Sequence, residues 1–201
     1  MNKLICITLL VGLAALSVAC SSGGNETATA PATTSASPAA TTSAEAPKAD
    51  EVPTAVKAIF PNAQSFTKQH KDLTTEQIAS LEKMSGQKLD DKDFHSFAAF
   101  STAGGARKQV GVATLVKGGG MDMLIAYGNV KGQPVINEVK SEGMPAPFLA
   151  QFKGKGHDNK LKLGEDIKAL GADEAMARSM TDAIRLNAMT MQTLYGSSHE
   201  H

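Results

Sequence analysis

A chain of 201 residues with 20 basic and 20 acidic side chains has no formal net charge, so it offers no basic face to nucleic acid and no field to steer a strongly charged partner. It has no tryptophan, two tyrosines and two cysteines, which limits both aromatic stacking and sulfur chemistry. The segment beyond the first fifty residues, about 150 long, is enough for one hydrophobic core, and no internal repeat divides it.

The chain opens with Lys3, an apolar run from Leu4 to Leu16, and the small residues Ser17 and Ala19 ahead of Cys20. This is the pattern of a secretory signal peptide, residues 1–19. The apolar run falls short of the roughly 20 residues that a permanent span needs, so the segment is expected to be removed. Leu16-Ser17-Val18-Ala19-Cys20 resembles the lipobox of bacterial lipoproteins, with Ser17 where that family usually has leucine. The resemblance implies acyl chains, palmitate among them, on Cys20 and a mature protein anchored to a membrane of the cell envelope, facing the periplasm or the exterior. Ser21 follows, rather than the aspartate that resembles an inner-membrane retention signal, so export to an outer membrane is allowed. With Cys6 lost in the signal, Cys20 has no partner for an intramolecular disulfide, and no cysteine-based zinc, haem or iron-sulfur site can form. Losing Lys3 leaves 19 basic residues against 20 acidic ones. Residues 20–50 are dominated by Ser, Thr, Ala, Pro and Gly and cannot bury enough apolar surface to fold. As a flexible coil this linker would span roughly 30 Å and hold the domain near its membrane.

The folded segment is expected over residues 51–196, with 197–201 as a tail. Val52 to Ile59 reads as a short helix stopped by Pro61, and Gln64 to Gln69 as a strand. Thr74-Thr75-Glu76-Gln77 offers a capping box, Ile78, Leu81 and Met84 recur at helical spacing, and Gly86 is a stop. Phe94 to Ser101 is rich in aromatic and small residues and runs into the turn Ala103-Gly104-Gly105. Val110, Val112, Thr114 and Val116 alternate with Gly111, Ala113 and Leu115, the period of a strand, and Gly118-Gly119-Gly120 breaks it. Met121 to Tyr127 is a second strand, Gly128 to Gly132 a turn, and Pro134 to Lys140 a third strand with Val135, Asn137 and Val139 on one face. These three strands predict an antiparallel meander. Phe148 to Phe152 reads as a helical turn. The last helix is marked by Ala172, Ala175, Met176, Ser179, Met180, Ala183, Ile184 and Asn187 stepping by three and four, with Asp173 and Glu174 at its start and Gly196 near its end. The fold class is therefore α+β, a small antiparallel sheet packed with N-terminal and C-terminal helices.

The order of these pieces resembles the FMN-binding domain family, known from the G subunit of Rnf electron-transport complexes and the C subunit of sodium-pumping NADH:quinone oxidoreductases. The resemblance spans most of 56–188. It rests on Ile59-Phe60-Pro61-Asn62-Ala63, on Leu73-Thr74-Thr75-Glu76-Gln77, on the glycine-rich strand pair from Lys117 to Val130, on Gln151-Phe152-Lys153-Gly154-Lys155, and on Gly171-Ala172 before the final helix. It implies an FMN site with Gly171, Ala172 and Asp173 near the phosphate and Glu142 and Pro145 near the ring. Apart from the resemblance, Gly119 within Gly118-Gly119-Gly120 can bring backbone amides close to a ligand or simply form a hairpin turn. Members that bind flavin covalently carry Ser-Gly-Ala-Thr and esterify the threonine to the FMN phosphate. Leu170-Gly171-Ala172-Asp173 stands at those positions, and a carboxylate cannot form that link, so any flavin is expected to be non-covalent. The family's central Glu-Thr-Pro-Gly loop is replaced by Ser141-Glu142-Gly143-Met144-Pro145-Ala146.

Two functions follow. One is a membrane-anchored flavin carrier that passes electrons to an envelope redox partner, the cofactor supplying the chemistry. The alternative is a cofactor-free relative acting as a binding or assembly lipoprotein. Met121, Met123, Met144 and Met176 can line a flavin pocket or simply fill a core. Lys153, Lys155, Lys160 and Lys162 can meet a phosphate or form a solvated loop. His199 and His201 read as a frayed tail, and His70, His95 and His157 lack ligand-like spacing. No nucleophile elbow, paired catalytic carboxylates or phosphate-binding loop points to an enzyme.

Overall fold

The computed structural model describes residues 52–89 and 91–197. The signal peptide, Cys20, the linker and His199 and His201 lie outside the described residues.

Local chemistry sets most element boundaries. Helix α1 (Thr54–Ile59) follows Pro53, whose φ of −56° suits a helix entrance, and ends at Phe60. Strand β1 (Ser65–Asp72) leads into α2 (Thr75–Ser85). The capping box forms: Gln77 N–H donates to Thr74 Oγ1 at 3.2 Å, and Thr74 N–H donates to Gln77 Oε1 at 2.9 Å. Gly86 closes α2 at φ +74°, a left-handed conformation that glycine adopts without a Cβ penalty. Four strands follow, β2 (Asp93–Ser101), β3 (Lys108–Gly118), β4 (Met121–Val130) and β5 (Gln133–Ser141), then the short α3 (Ala146–Ala150) and the long α4 (Glu174–Tyr195).

All five strands form one antiparallel sheet in chain order, β1-β2-β3-β4-β5. The meander is thus longer than the three strands expected from sequence, because the stretch around Phe94 to Ser101 is β2. Its Ser96, Phe97, Ala98 and Ala99 are all buried, so both faces are covered and the alternation that marks a half-buried strand is missing.

Two bulges correct the sequence reading of strand faces. Between β4 and β5 the register passes from Ala126↔Glu138 to Tyr127↔Ile136, which leaves Asn137 as an extra residue on β5. Val135, Asn137 and Val139 therefore do not share a face; Ile136 and Val139, three apart, enter the same core. Between β2 and β3 the register passes from Ala99↔Gly111 to Phe100↔Gln109, so Val110 is extra and lies exposed while Val112 is buried. The expected turn from Gly128 to Gly132 is also shorter than predicted. β4 runs to Val130, and only Lys131 (φ +55°) and Gly132 (φ +83°) turn the chain, the two-residue form that suits the twist of a hairpin. Gly128 belongs to the strand because the Asn137 amide lies over it: a Cβ there would fall 2.7 Å from Asn137 Nδ2.

The sheet has a core on each side. On one, α4 lays Ala177, Met180, Ile184, Ala188 and Met191 over Val112, Met123, Ile125, Tyr127, Ile136 and Val139, with Phe148, Phe152, Leu161 and Ile167 closing the end. A polar node sits inside it: Asn187 Oδ1 accepts from Tyr127 OH at 2.7 Å and from Thr114 Oγ1 at 2.9 Å. Burial pushes the Tyr127 hydroxyl far above its ordinary range, so it stays a neutral donor. Arg185 of α4 donates to the carbonyls of Met84 and Ser85 at 2.7 and 3.1 Å, satisfying the open C-terminal end of α2. On the other side α1 packs Val56, Ile59 and Phe60, with Val52, against Phe97, Ala99, Ala113, Leu124 and Ala126.

Candidate functional site

A helix of six residues cannot cover a five-stranded sheet. Beside α1, the outer face of β3, β4 and β5 is left open as a groove of 1320 Å³. Its floor carries Leu115 and Leu124, and Ala55 and Ala58 of α1 form one wall. Where β5 stops at Ser141 the groove curls round the end of the sheet to Glu142, Met144, Leu149 and Lys153. That curvature explains why it reaches both Leu124 of the α1 side and Met123 of the α4 side. Leu115 is half exposed within it.

Charge decorates the groove without filling it. Lys117 pairs with Asp122 at 2.9 Å, and Lys140 with Glu138 at 3.5 Å, all four side chains being substantially exposed. Such pairs are worth at most about 1 kcal/mol, so a ligand can exchange them at small cost. Ser141 Oγ donates to the Asp122 carbonyl at 2.9 Å and ties the end of β5 to the start of β4.

Of the residues that the sequence proposed for a flavin, the structure brings only some together. Glu142 lines the groove. Pro145 precedes α3 and lies against Gly171, where an added Cβ would be 3.8 Å from the proline ring. Gly171 has φ +82° and follows Leu170 at φ +31°, so the chain enters α4 through two left-handed residues. Ala172 is half-buried against the α4-side core, its N–H donating to the Ala169 carbonyl at 2.8 Å. Asp173 is the N-cap of α4, its carboxylate accepting from Met176 N–H at 3.0 Å. Gly119 is held against α4 as well: its N–H donates to Ser179 Oγ at 2.8 Å. Gly171, Ala172, Asp173, Pro145 and Gly119 do not line the groove.

Comparison of the chain with family models, with curated proteins and with solved structures returned no match.

The remaining candidates fall on either side of the groove. Met121, Met123 and Met144 touch it, whereas Met176 meets the Gly119 turn. Gly119 and Gly120, at φ +60° and +77°, make a tight two-residue hairpin. Gly118 beside them must be glycine, because a Cβ would come within 2.8 Å of Ala183 and of Met123. The lysine-rich loop is paired within itself: Lys155 meets Asp166 at 3.4 Å, and Lys160 meets Glu165 at 2.7 Å. Asp166 organises that loop by also accepting from the N–H groups of Leu161 and Lys162. Although partial burial works in the opposite direction, these bonds and the Lys155 ammonium hold its carboxyl below the usual range. The groove-facing Leu115, Leu124, Lys140, Ala55 and Ala58 were not singled out from sequence. For Leu115, Leu124 and Lys140 the signal was the outward half of the strand alternation, visible only once both faces are known to be apolar; Ala55 and Ala58 lie on α1 and gave none. No described helix is long and apolar enough to cross a membrane.

Proposed function

We propose that this chain is an envelope lipoprotein, tethered through Cys20, whose domain binds a ligand without a covalent bond in the groove beside α1. In this reading it acts as a binding or assembly protein and holds no flavin. The observation that carries it is the open, largely apolar groove itself; against a flavin phosphate at α4 stands the Asp173 carboxylate on the Met176 N–H at 3.0 Å. A helix N-terminus attracts phosphate through its unpaired amides, and here the chain's own anion holds that position. The groove has the chemistry of a binding surface, an apolar floor with a few charged groups around it. Its volume of 1320 Å³ exceeds the roughly 300–1,000 Å³ of a small-molecule pocket, which suits an extended ligand.

A second reading keeps the flavin. Met121, Met144 and Glu142 share the groove with Lys140 and Lys153, so an isoalloxazine ring can pack on thioethers while a lysine meets the phosphate away from α4. The domain would then be a non-covalent FMN carrier for an envelope redox partner. Titration of the full chain with FMN, followed by flavin fluorescence and visible absorption, separates the two. Fluorescence unchanged up to a large excess of protein is the expected result. Saturable quenching that Met144→Ala and Lys153→Ala weaken would replace the first reading with the second.

A further inference from the structure

On the α1 side of the sheet, past the reach of α1, the outer ribbon of β1 and β2 carries a square of metal-ligand side chains. His70 lies opposite His95, and Asp72 opposite Asp93, in the β1–β2 register. Side chains two apart on a strand share a face, as do those directly opposed across an antiparallel pair. The short sequences His70-Lys71-Asp72 and Asp93-Phe94-His95 therefore place two imidazoles and two carboxylates on one face.

Three of the four stand close together. His70 Nε2 is 3.3 Å from Asp72 Oδ1 and 3.7 Å from Asp93 Oδ1, and one ligand atom from each of the three lies within 4.8 Å of the others. Two ligands held at roughly 2.0–2.1 Å in a tetrahedral shell stand about 3.3–3.4 Å apart, so small side-chain rotations close the set. The His95 ring is next to His70, centroid to centroid 4.9 Å, and takes a fourth position only after its side chain turns. Asp72 and Asp93 face one another directly, an arrangement of like charges that destabilises a sheet, with the His70 ring beside both. The backbone below is fixed. Leu73 N–H donates to the Lys92 carbonyl at 2.9 Å, closing the end of the ribbon. On the opposite face Lys71 donates to the Leu194 carbonyl at 2.7 Å and lies 3.9 Å over the Tyr195 ring, binding β1 to α4.

We propose that His70, Asp72 and Asp93, with His95 as the fourth ligand, form a surface site for a divalent transition-metal ion of the zinc class. The choice of metal follows from the donors: imidazole nitrogen with carboxylate oxygen suits zinc, nickel or copper, whereas magnesium and calcium take oxygen alone. Bound metal would clamp β1, an edge strand, to β2. The site does not depend on the groove or on any flavin.

Isothermal calorimetry of the full chain with zinc chloride tests this, with circular dichroism to verify the fold of each variant. The four residues are exposed, so their replacement leaves folding intact. One zinc per chain is expected. His70→Ala should weaken binding by at least about 100-fold, beyond the 10–100-fold typical of groups that only support a ligand from outside the shell, and His95→Ala by about 10-fold. His199→Ala/His201→Ala, which removes the other paired histidines, should change nothing. Absence of zinc binding, binding unaltered by His70→Ala, binding lost with the two tail histidines, or a preference for calcium over zinc would each overturn the proposal.

Discussion

The two faces of the sheet are built from similar residues and end differently. Both draw on β4, whose Met123, Ile125 and Tyr127 point to α4 while Leu124 and Ala126 point to α1. The α4 face is covered by a helix of 22 residues, whose Asn187 accepts the buried hydroxyls of Thr114 and Tyr127. The α1 face is covered by six residues, leaving Leu115 exposed in a groove and two histidines and two aspartates on the outer ribbon. The difference teaches where this domain invests in folding and where it leaves surface for partners: the completed face secures the sheet, and the incomplete one is available.

The comparison breaks if the two faces respond alike to substitution. The largest effect is expected on the α4 face. Ile184 is fully buried between helix and sheet, and Ile184→Ala should cost about 3 kcal/mol, the cost of lost transfer energy plus a cavity that close packing cannot refill. Equilibrium denaturation in urea measures it, with an unchanged slope showing that the same surface is exposed on unfolding. A smaller loss is expected where α1 meets the sheet. Gly111 lets the Phe60 ring and the Tyr127 carbonyl approach, and a Cβ there would meet them at 2.5 and 2.9 Å. Gly111→Ala should cost about 2 kcal/mol through displacement of packed atoms, and a loss as large as that of Ile184→Ala would mean that α1 is as deeply integrated as α4. The smallest effect belongs to the groove. Leu115→Lys should change stability by no more than about 0.5 kcal/mol and yet abolish capture of any apolar ligand; a large loss of stability would make the groove floor a part of the core.

Much of the fold was legible in the sequence because the signals were local. The Thr74 and Gln77 capping box, Gly86, the Gly119-Gly120 turn and the Asp173 start of α4 are short-range hydrogen-bonding and backbone preferences, and they act within one turn of chain. β2 was not legible for a reason that is itself structural: a strand buried on both faces loses its period. The bulges at Val110 and Asn137 were hidden as well, since one inserted residue flips every later side chain, and nothing in Pro134 to Lys140 announces which residue is extra. For the site, Glu142 and three methionines were visible as types, but their meeting beside Ala55 and Ala58 depends on α1 folding back across the sheet. His70 and His95 showed no spacing as a pair because they are brought together by strand register, twenty-five positions apart in the chain.

The α+β class, both ends of α2, the start of α4, the Gly119-Gly120 turn and the neutral charge balance could be read from the chain alone, because each depends on composition or on neighbours a few residues away. Only the tertiary structure decided which face is closed, where the groove lies and which of the polar side chains stand together, because those depend on strand register and on how far a helix of given length can reach across a sheet.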